Sequence, residues 1–233
     1  MSVKPVYQNP NTTVALPFKG VILDMDGTLI ESTEADYLAW KWLFADYNIP
    51  FTFQEYQPML GTKSVDVINA RLKLDDEEMA KALKQKMTYF KEVITNNGIQ
   101  IVPFADELFK NLKKYPVKIA LATSSRREKM KLLMEKVQFM PFFDVIVTGE
   151  EVHNGKPAPD IFLQAAELLQ LSPEDCVVVE DTVNGVKAAK NANMKCVAIA
   201  TTQTADLLHQ ADLVIDTFEK ADLLEWSKLI ANN

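Results

Sequence analysis

Cysteine is nearly absent. The chain has only Cys176 and Cys196 among 233 residues, too few for a disulfide framework, and a reducing cytoplasm is the expected setting. Histidine is as scarce, and His153 and His209 lack metal-ligand spacing. No apolar run approaches the ~20 residues a membrane helix needs. The first residues lack the charged-then-apolar pattern of a secretory signal. Basic excess is missing too: 25 Lys and Arg face 32 Asp and Glu, a net charge of −7, which argues against a nucleic-acid surface. That balance still permits a phosphorylated substrate, because a metal ion and one or two lysines can set the local field. There is no internal repeat and no low-complexity segment.

The remaining composition is that of an ordinary globular protein, 48% apolar and 24% charged. The length suits one large domain, or a domain with a sizeable insert. Residues 1–19 read as a loosely held tail, packed in part by Val14 to Phe18. GVILD (20–24) reads as a short buried strand. From Ser32 the pattern turns helical, with expected helices at 33–47, 52–58, 64–72 and 75–96. The acidic run Asp75 to Glu78 suits a solvated helix start, where the dipole favours acids. Trp40 and Trp42 cannot share one helix face, so one of them should pack inside.

After Pro103 apolar strands alternate with helices. The strands are expected at 117–123, 144–149, 176–181, 195–200 and 212–216. The helices are expected at 104–114, 126–137, 159–169, 183–191, near 204–209 and at 219–230. This is the pattern of an α/β fold: a Rossmann-like parallel sheet core with helices on both faces. The first strand should join that sheet, with the all-helical block inserted as a cap. The expected division is a tail (1–19), a catalytic core (20–31 and 103–233) and a helical cap (32–102).

Four expected strands end in polar groups. They bring Asp24 with Asp26, then Thr123, Ser124 and Ser125, then the loop holding Lys156, then Glu180 with Asp181. Ligands of open α/β sheets bind beyond the carboxyl ends of the strands, so these groups should converge. Clustered carboxylates repel unless a cation lies between them, and an all-oxygen set suits Mg²⁺. Thr123 and Lys156 can donate to phosphate oxygens. A carboxylate with a free oxygen can attack phosphorus, and a second acid two positions on can move the protons. Gly27 permits a tight turn, and Thr28 can hold that turn with its hydroxyl.

Asp24-Met25-Asp26-Gly27-Thr28, Thr123-Ser124, Lys156 in Gly155-Lys156-Pro157, and Glu180-Asp181 followed by Asn184-Gly185 resemble the signature of the haloacid dehalogenase superfamily of phosphohydrolases. The resemblance implies Asp24 as nucleophile and metal ligand. It implies Asp26 as acid/base, binding Mg²⁺ through its backbone carbonyl. Thr123 would hold the phosphoryl group and Lys156 would orient Asp24. Asp181 would bind Mg²⁺, with Glu180 assisting, and a helical cap would select the substrate. Gly27, Thr28, Ser124, Ser125, Arg126 and Lys63 are the expected substrate contacts.

Within the superfamily the chain is similar to the β-phosphoglucomutase-like and sugar-phosphatase branch. The mutases use a His early in the first cap helix and an Arg in a cap loop. Here those stretches read Thr33-Glu34-Ala35-Asp36-Tyr37 and Leu60-Gly61-Thr62-Lys63-Ser64, which favours plain hydrolysis. The expected activity is Mg²⁺-dependent hydrolysis of a small phosphorylated metabolite by a cytoplasmic monomer. The alternatives are a sugar phosphomutase and a non-catalytic binding protein on the same fold. The plainer readings also stand. Ser124 or Ser125 should cap the helix at 126–137. Arg126, Arg127, Lys129 and Lys131 should form a solvated face, and Asp36 and Lys63 could be cap surface.

Overall fold

A computed structural model describes residues 16–231, so the expected packing of Val14 lies outside the described residues. The strands of the core are β1 (Gly20–Leu23), β4 (Lys118–Thr123), β5 (Val145–Thr148), β6 (Cys176–Glu180), β7 (Lys195–Ile199) and β8 (Leu213–Ile215). They form one sheet in the order β5-β4-β1-β6-β7-β8, parallel throughout. Both faces are buried, and side chains alternate between them. Val21, Leu23, Leu121, Val177, Val179 and Val197 meet α5 (Ala105–Leu112), α6 (Arg127–Lys136) and α9 (Leu223–Ala231). Ile22, Ala120, Ala122, Val178, Cys196 and Ala198 meet α7 (Asp160–Leu169) and α8 (Val183–Asn191). Phe18 is buried against the first of these faces. Cys176 and Cys196 are free, buried thiols.

Between Leu29 and Val102 the chain leaves the sheet and builds the cap. It passes through β2 (Ile30–Glu31), α1 (Thr33–Asp46), α2 (Phe53–Tyr56), α3 (Ser64–Asn69), α4 (Asp76–Asn97) and β3 (Gln100–Ile101). Trp40, Leu43, Phe44, Phe51, Ile68 and Leu83 give the cap its own apolar centre. Trp40 is in that centre, while Trp42 sits half-buried, edge-on to Tyr89. The acidic run opens α4 as expected: Asp75 accepts from the Glu78 N–H, Glu78 accepts from the Asp75 N–H, and Asp76 and Glu77 are exposed.

Two local expectations are corrected, and one short strand pair is added. The antiparallel pair β2–β3 had no sequence signal, since two residues per strand carry no measurable period. The last helix starts at Leu223 rather than at 219, because Lys220 holds a left-handed backbone with φ of 59°. Neither Ser124 nor Ser125 caps α6. The N-cap position is Arg126, without a side-chain cap bond, and Glu150 accepts the Arg127 N–H instead. Among the described residues, no helix is long and apolar enough to cross a membrane.

Candidate active site

Strand register alone brings the acids together. Leu23 pairs with Leu121 on one side and Val179 on the other, so Asp24 emerges beside Glu180 at the carboxyl end of the three central strands. Thr123 ends the flanking strand β4. The chain reverses its direction of travel across the sheet around β1, which is where open α/β sheets form their crevice.

Lys156 is fully buried between two of these carboxylates. Its Nζ donates to Asp24 Oδ1 at 2.6 Å and to Glu180 Oε1 at 2.5 Å. Burial works against the ammonium, but Asp24 and Glu180 outweigh it and hold its pKa above the ordinary lysine range. Burial, opposed by Lys156 and reinforced by Glu180, pushes the Asp24 carboxyl up to about 7. Lys156 engages only Oδ1, and Asp24 Oδ2 has no hydrogen-bond partner among the described residues.

Glu180 is held on every side. Its Oε2 accepts from Asp181 N, Thr182 N and Thr182 Oγ1 at 2.8 to 3.0 Å. Gly185 makes room for it, since a Cβ there would overlap the Glu180 carboxylate. Gly27, with φ of 79°, does the same for Asp181. Thr28 donates to Asp181 Oδ1 at 3.2 Å, so its hydroxyl reaches across to the acid rather than holding its own turn. Asp181 Oδ2 is buried without a hydrogen bond of normal geometry, and the Thr202 hydroxyl is close enough to favour its charged form. Burial, then the charges of Glu180 and Asp24, raise the Asp181 carboxyl well above its ordinary value. Oxygens of Asp24, Glu180 and Asp181 lie within 4.8 Å of one another. A buried carboxylate oxygen short of a normal hydrogen bond, in an all-oxygen trio, fits a hard divalent cation.

Asp26 points away from that trio, toward the cap. Its Oδ1 accepts from Ser32 Oγ and pairs with Lys129 Nζ at 2.8 Å; its Oδ2 accepts from Ser125 Oγ at 2.6 Å. Lys129 also reaches Asp36 Oδ1 on α1, at 2.9 Å. Asp36 in addition accepts from Lys86 Nζ, Trp40 Nε1 and Tyr56 Oη at 2.6 to 3.0 Å. Burial opposes ionisation of Asp36, but Lys129 and Lys86 hold its carboxyl well below the usual range. The expected solvated face holds for Arg126, Arg127 and Lys131, which are exposed, and is corrected at Lys129, which is turned inward, 7% exposed, because α6 presents Lys129 and Leu133 on its buried side. Asp36 is not cap surface either, for the same reason on α1.

Asp24, Asp26, Thr123, Ser124 and Ser125 line one small cavity of about 60 Å³ between core and cap, with Asp36, Trp40, Tyr56, Lys86 and Lys129 at its cap end. Lys63 and Arg126 are not brought into it. Lys63 Nζ donates to the carbonyls of Val152 and His153, and Arg126 pairs with Glu150 at 2.7 Å. Three further contacts press the cap onto the core: Ser124 Oγ to the Gly61 carbonyl, and Asn184 Nδ2 to the carbonyls of Leu60 and Pro58. The sequence reading missed Lys86, Lys129, Tyr56 and Ser32. The available signal was a lysine inside an apolar stripe, Lys86 among Ala82, Leu83, Phe90 and Val93.

Residues 21–199 match the haloacid dehalogenase-like hydrolase family. The chain belongs to that family. It is a phosphohydrolase of the superfamily and an enzyme of the phosphoric monoester hydrolase class. It is similar to β-phosphoglucomutase of Bacillus subtilis, 30% identical over 205 residues, 84% of this chain and 88% of that one. It is also similar to the phosphorylated carbohydrates phosphatase of Thermotoga maritima, 31% identical over 183 residues, 76% of this chain and 82% of that one. Among solved structures, a family IA haloacid dehalogenase hydrolase of Entamoeba histolytica superposes with a TM-score of 0.81 at 28% identity, covering 92% of this chain and 100% of the other.

Proposed function

We propose that the protein is a Mg²⁺-dependent phosphatase that hydrolyses a small phosphorylated metabolite, a sugar phosphate or similar phosphomonoester, through an aspartyl phosphate on Asp24. The observation that carries this reading is the buried set of Asp24, Lys156, Glu180 and Asp181, with Asp181 Oδ2 left short of a normal hydrogen bond. Asp24, Asp181 and Glu180 would hold Mg²⁺, with the Asp26 backbone carbonyl. The ion would neutralise the charge that gathers on the phosphoryl oxygens.

The chain's own residues do the rest. Lys156 holds Asp24 Oδ1 and leaves Oδ2 for attack on phosphorus. Thr123, beside the turn at Gly27 and Thr28, offers its hydroxyl to the phosphoryl oxygens, while Ser124 and Ser125, which donate to the Gly61 carbonyl and to Asp26 with the cap seated, turn to them where the cap lifts. Asp26, a carboxylate while paired with Lys129, takes up a proton as the substrate enters, gives it to the departing oxygen, then takes one from the water that cleaves the phosphoenzyme. Ser32, Ser125 and Lys129 keep its carboxyl at the cavity wall between the two events. Lys63 and Arg126 serve as substrate contacts only where the cap is displaced, since both are engaged elsewhere with the cap seated.

The test is phosphate release from a panel of phosphorylated metabolites, with Mg²⁺ and with EDTA, beside Asp24→Asn. Mg²⁺-dependent release confined to wild type supports the reading; equal release by the variant removes it. Likeness to the Bacillus subtilis mutase keeps a sugar phosphomutase as the second reading. NMR of glucose 1-phosphate and glucose 6-phosphate interconversion separates the two. The same reading has the protein act as a monomer in the cytoplasm, which sedimentation and cell fractionation check.

A further inference from the structure

We infer that the cap end of the cavity selects against a second acidic group on the substrate, and that Asp36, Lys86 and Lys129 are the residues that do so. The inference rests on the phosphatase reading above and narrows its substrate to phosphoesters of small, uncharged, hydroxyl-bearing leaving groups.

Two buried lysines beside a phosphoryl site invite the opposite expectation, a grip for a second anion. Their partners argue against it. Lys129 is shared between Asp26 at 2.8 Å and Asp36 at 2.9 Å, and Lys86 lies 2.6 Å from Asp36. The cap end therefore carries two ammonium and two carboxylate charges, every one paired. An entering carboxylate or phosphate would find no unmatched cation and would face two fixed carboxylates. Three other cations are already engaged: Lys156 with Asp24 and Glu180, Lys63 with two main-chain carbonyls and Arg126 with Glu150.

An uncharged hydroxyl meets better terms. Both acceptor atoms of Asp36 are already filled, Oδ1 by the two lysines and Oδ2 by Trp40 and Tyr56. Lys86 has one hydrogen-bond acceptor and rests 4.3 Å from the centre of the Trp40 ring, so it keeps N–H donors for a neutral oxygen. Trp40, Met59, Leu60 and Val67 supply apolar wall for carbon atoms. The cavity, at about 60 Å³, admits a small group with the cap seated.

The experiment uses matched substrates that differ at the far end in a hydroxymethyl group against a carboxylate: glycerol 1-phosphate with 3-phosphoglycerate, and glucitol 6-phosphate with 6-phosphogluconate. Wild type should show kcat/KM at least about tenfold higher for the neutral member of a pair. Asp36→Asn removes one fixed negative charge and should shift the ratio toward the anionic member by about tenfold. A purely structural role for Asp36 would slow both members alike, and an unchanged ratio overturns the assignment. Equal or faster turnover of the anionic members by wild type overturns the inference without any variant. Should Asp36→Asn fail to fold, Lys86→Met serves: it should widen the preference for the neutral member, and a narrowed preference counts against the cluster. Mg²⁺-dependent turnover of none of the four compounds removes the phosphatase reading itself and the inference with it. Turnover of the neutral members alone supports both.

Discussion

Ser124 Oγ, at the end of strand β4, donates a 2.6 Å hydrogen bond to the main-chain carbonyl of Gly61 in the cap. One residue thus sits beside the phosphoryl site and also fastens the lid over it. Asn184 adds a second fastening from the loop after the Glu180-Asp181 pair. A hydrogen bond of this kind contributes about 0.5–1.5 kcal/mol net. Ser124→Ala combined with Asn184→Ala removes three such bonds and should shift the cap off the core and raise KM by at least about tenfold. Steady-state kinetics with small-angle scattering checks this. Unchanged KM and an unchanged scattering profile would mean that these bonds do not govern closure.

Replacing the two aspartates of the first motif should separate their roles. Asp24→Asn keeps the shape of the side chain but removes the proposed nucleophile, and should cost about 10⁴- to 10⁶-fold in kcat with circular dichroism unchanged. Asp26→Asn should leave attack possible but slow proton delivery to the leaving oxygen by about 10²- to 10⁴-fold. Rapid-quench trapping of phosphoenzyme is the measurement. Substrates with acidic leaving groups should let phosphoenzyme build up in Asp26→Asn, while Asp24→Asn should never form it.

Metal affinity should depend steeply on pH. With Asp24 raised to about 7 and Asp181 raised as well, the metal-free site holds protons that a cation must expel. Mg²⁺ binding should therefore weaken as pH falls below about 7, by up to tenfold per unit for each proton released. Calorimetry in buffers of different ionisation enthalpy counts those protons. Asp181→Asn should lower both the affinity and the proton count. A pH-independent Kd would contradict the raised carboxyls.

Acid stability should report on Asp36. Its carboxyl is held below the ordinary 3.8 by Lys129 and Lys86, so the charged form favours the folded state. That contribution is complete above the unfolded value, near pH 4, and fades as pH drops toward the folded one. Asp36→Asn, which leaves two buried lysines short of a partner, should cost about 3–5 kcal/mol at neutral pH. The gap in Tm between wild type and variant should narrow in melts taken below about pH 4. A gap of constant size from pH 7 to 2.5 would exclude this origin.

The sheet and the acidic trio were readable because their determinants are local. GVIL and CVVVE are apolar runs, and the acids follow directly after them, so strand register did the rest. The cap end of the cavity was not readable in the same way. Lys86 and Lys129 stand 50 and 93 positions from Asp36, and the three meet only when the faces of α1, α4 and α6 close on one another. Their one local trace was a charge set in an apolar stripe, which reads equally as a boundary of that stripe. Ser124 and Ser125 were misjudged as helix caps because a hydroxyl before a helix has two outlets. Here the carbonyl of Gly61 and the carboxylate of Asp26 took them.

The paired strands β2 and β3 carry both crossings of the chain between core and cap, with Ile30 opposite Ile101 and Glu31 opposite Gln100. Residues opposite each other in an antiparallel pair lie about 5 Å apart. The chain therefore returns almost to the point from which it left, and the core experiences the whole cap as though it were a hairpin turn. An insert with such ends leaves the register that places Asp24 beside Glu180 to the sheet, and it is tied to the core's apolar cluster through Ala39, Phe90 and Ile94. Selectivity can drift at the cap end while the chemistry at the strand ends stays fixed, two parts of one enzyme free to change at different rates.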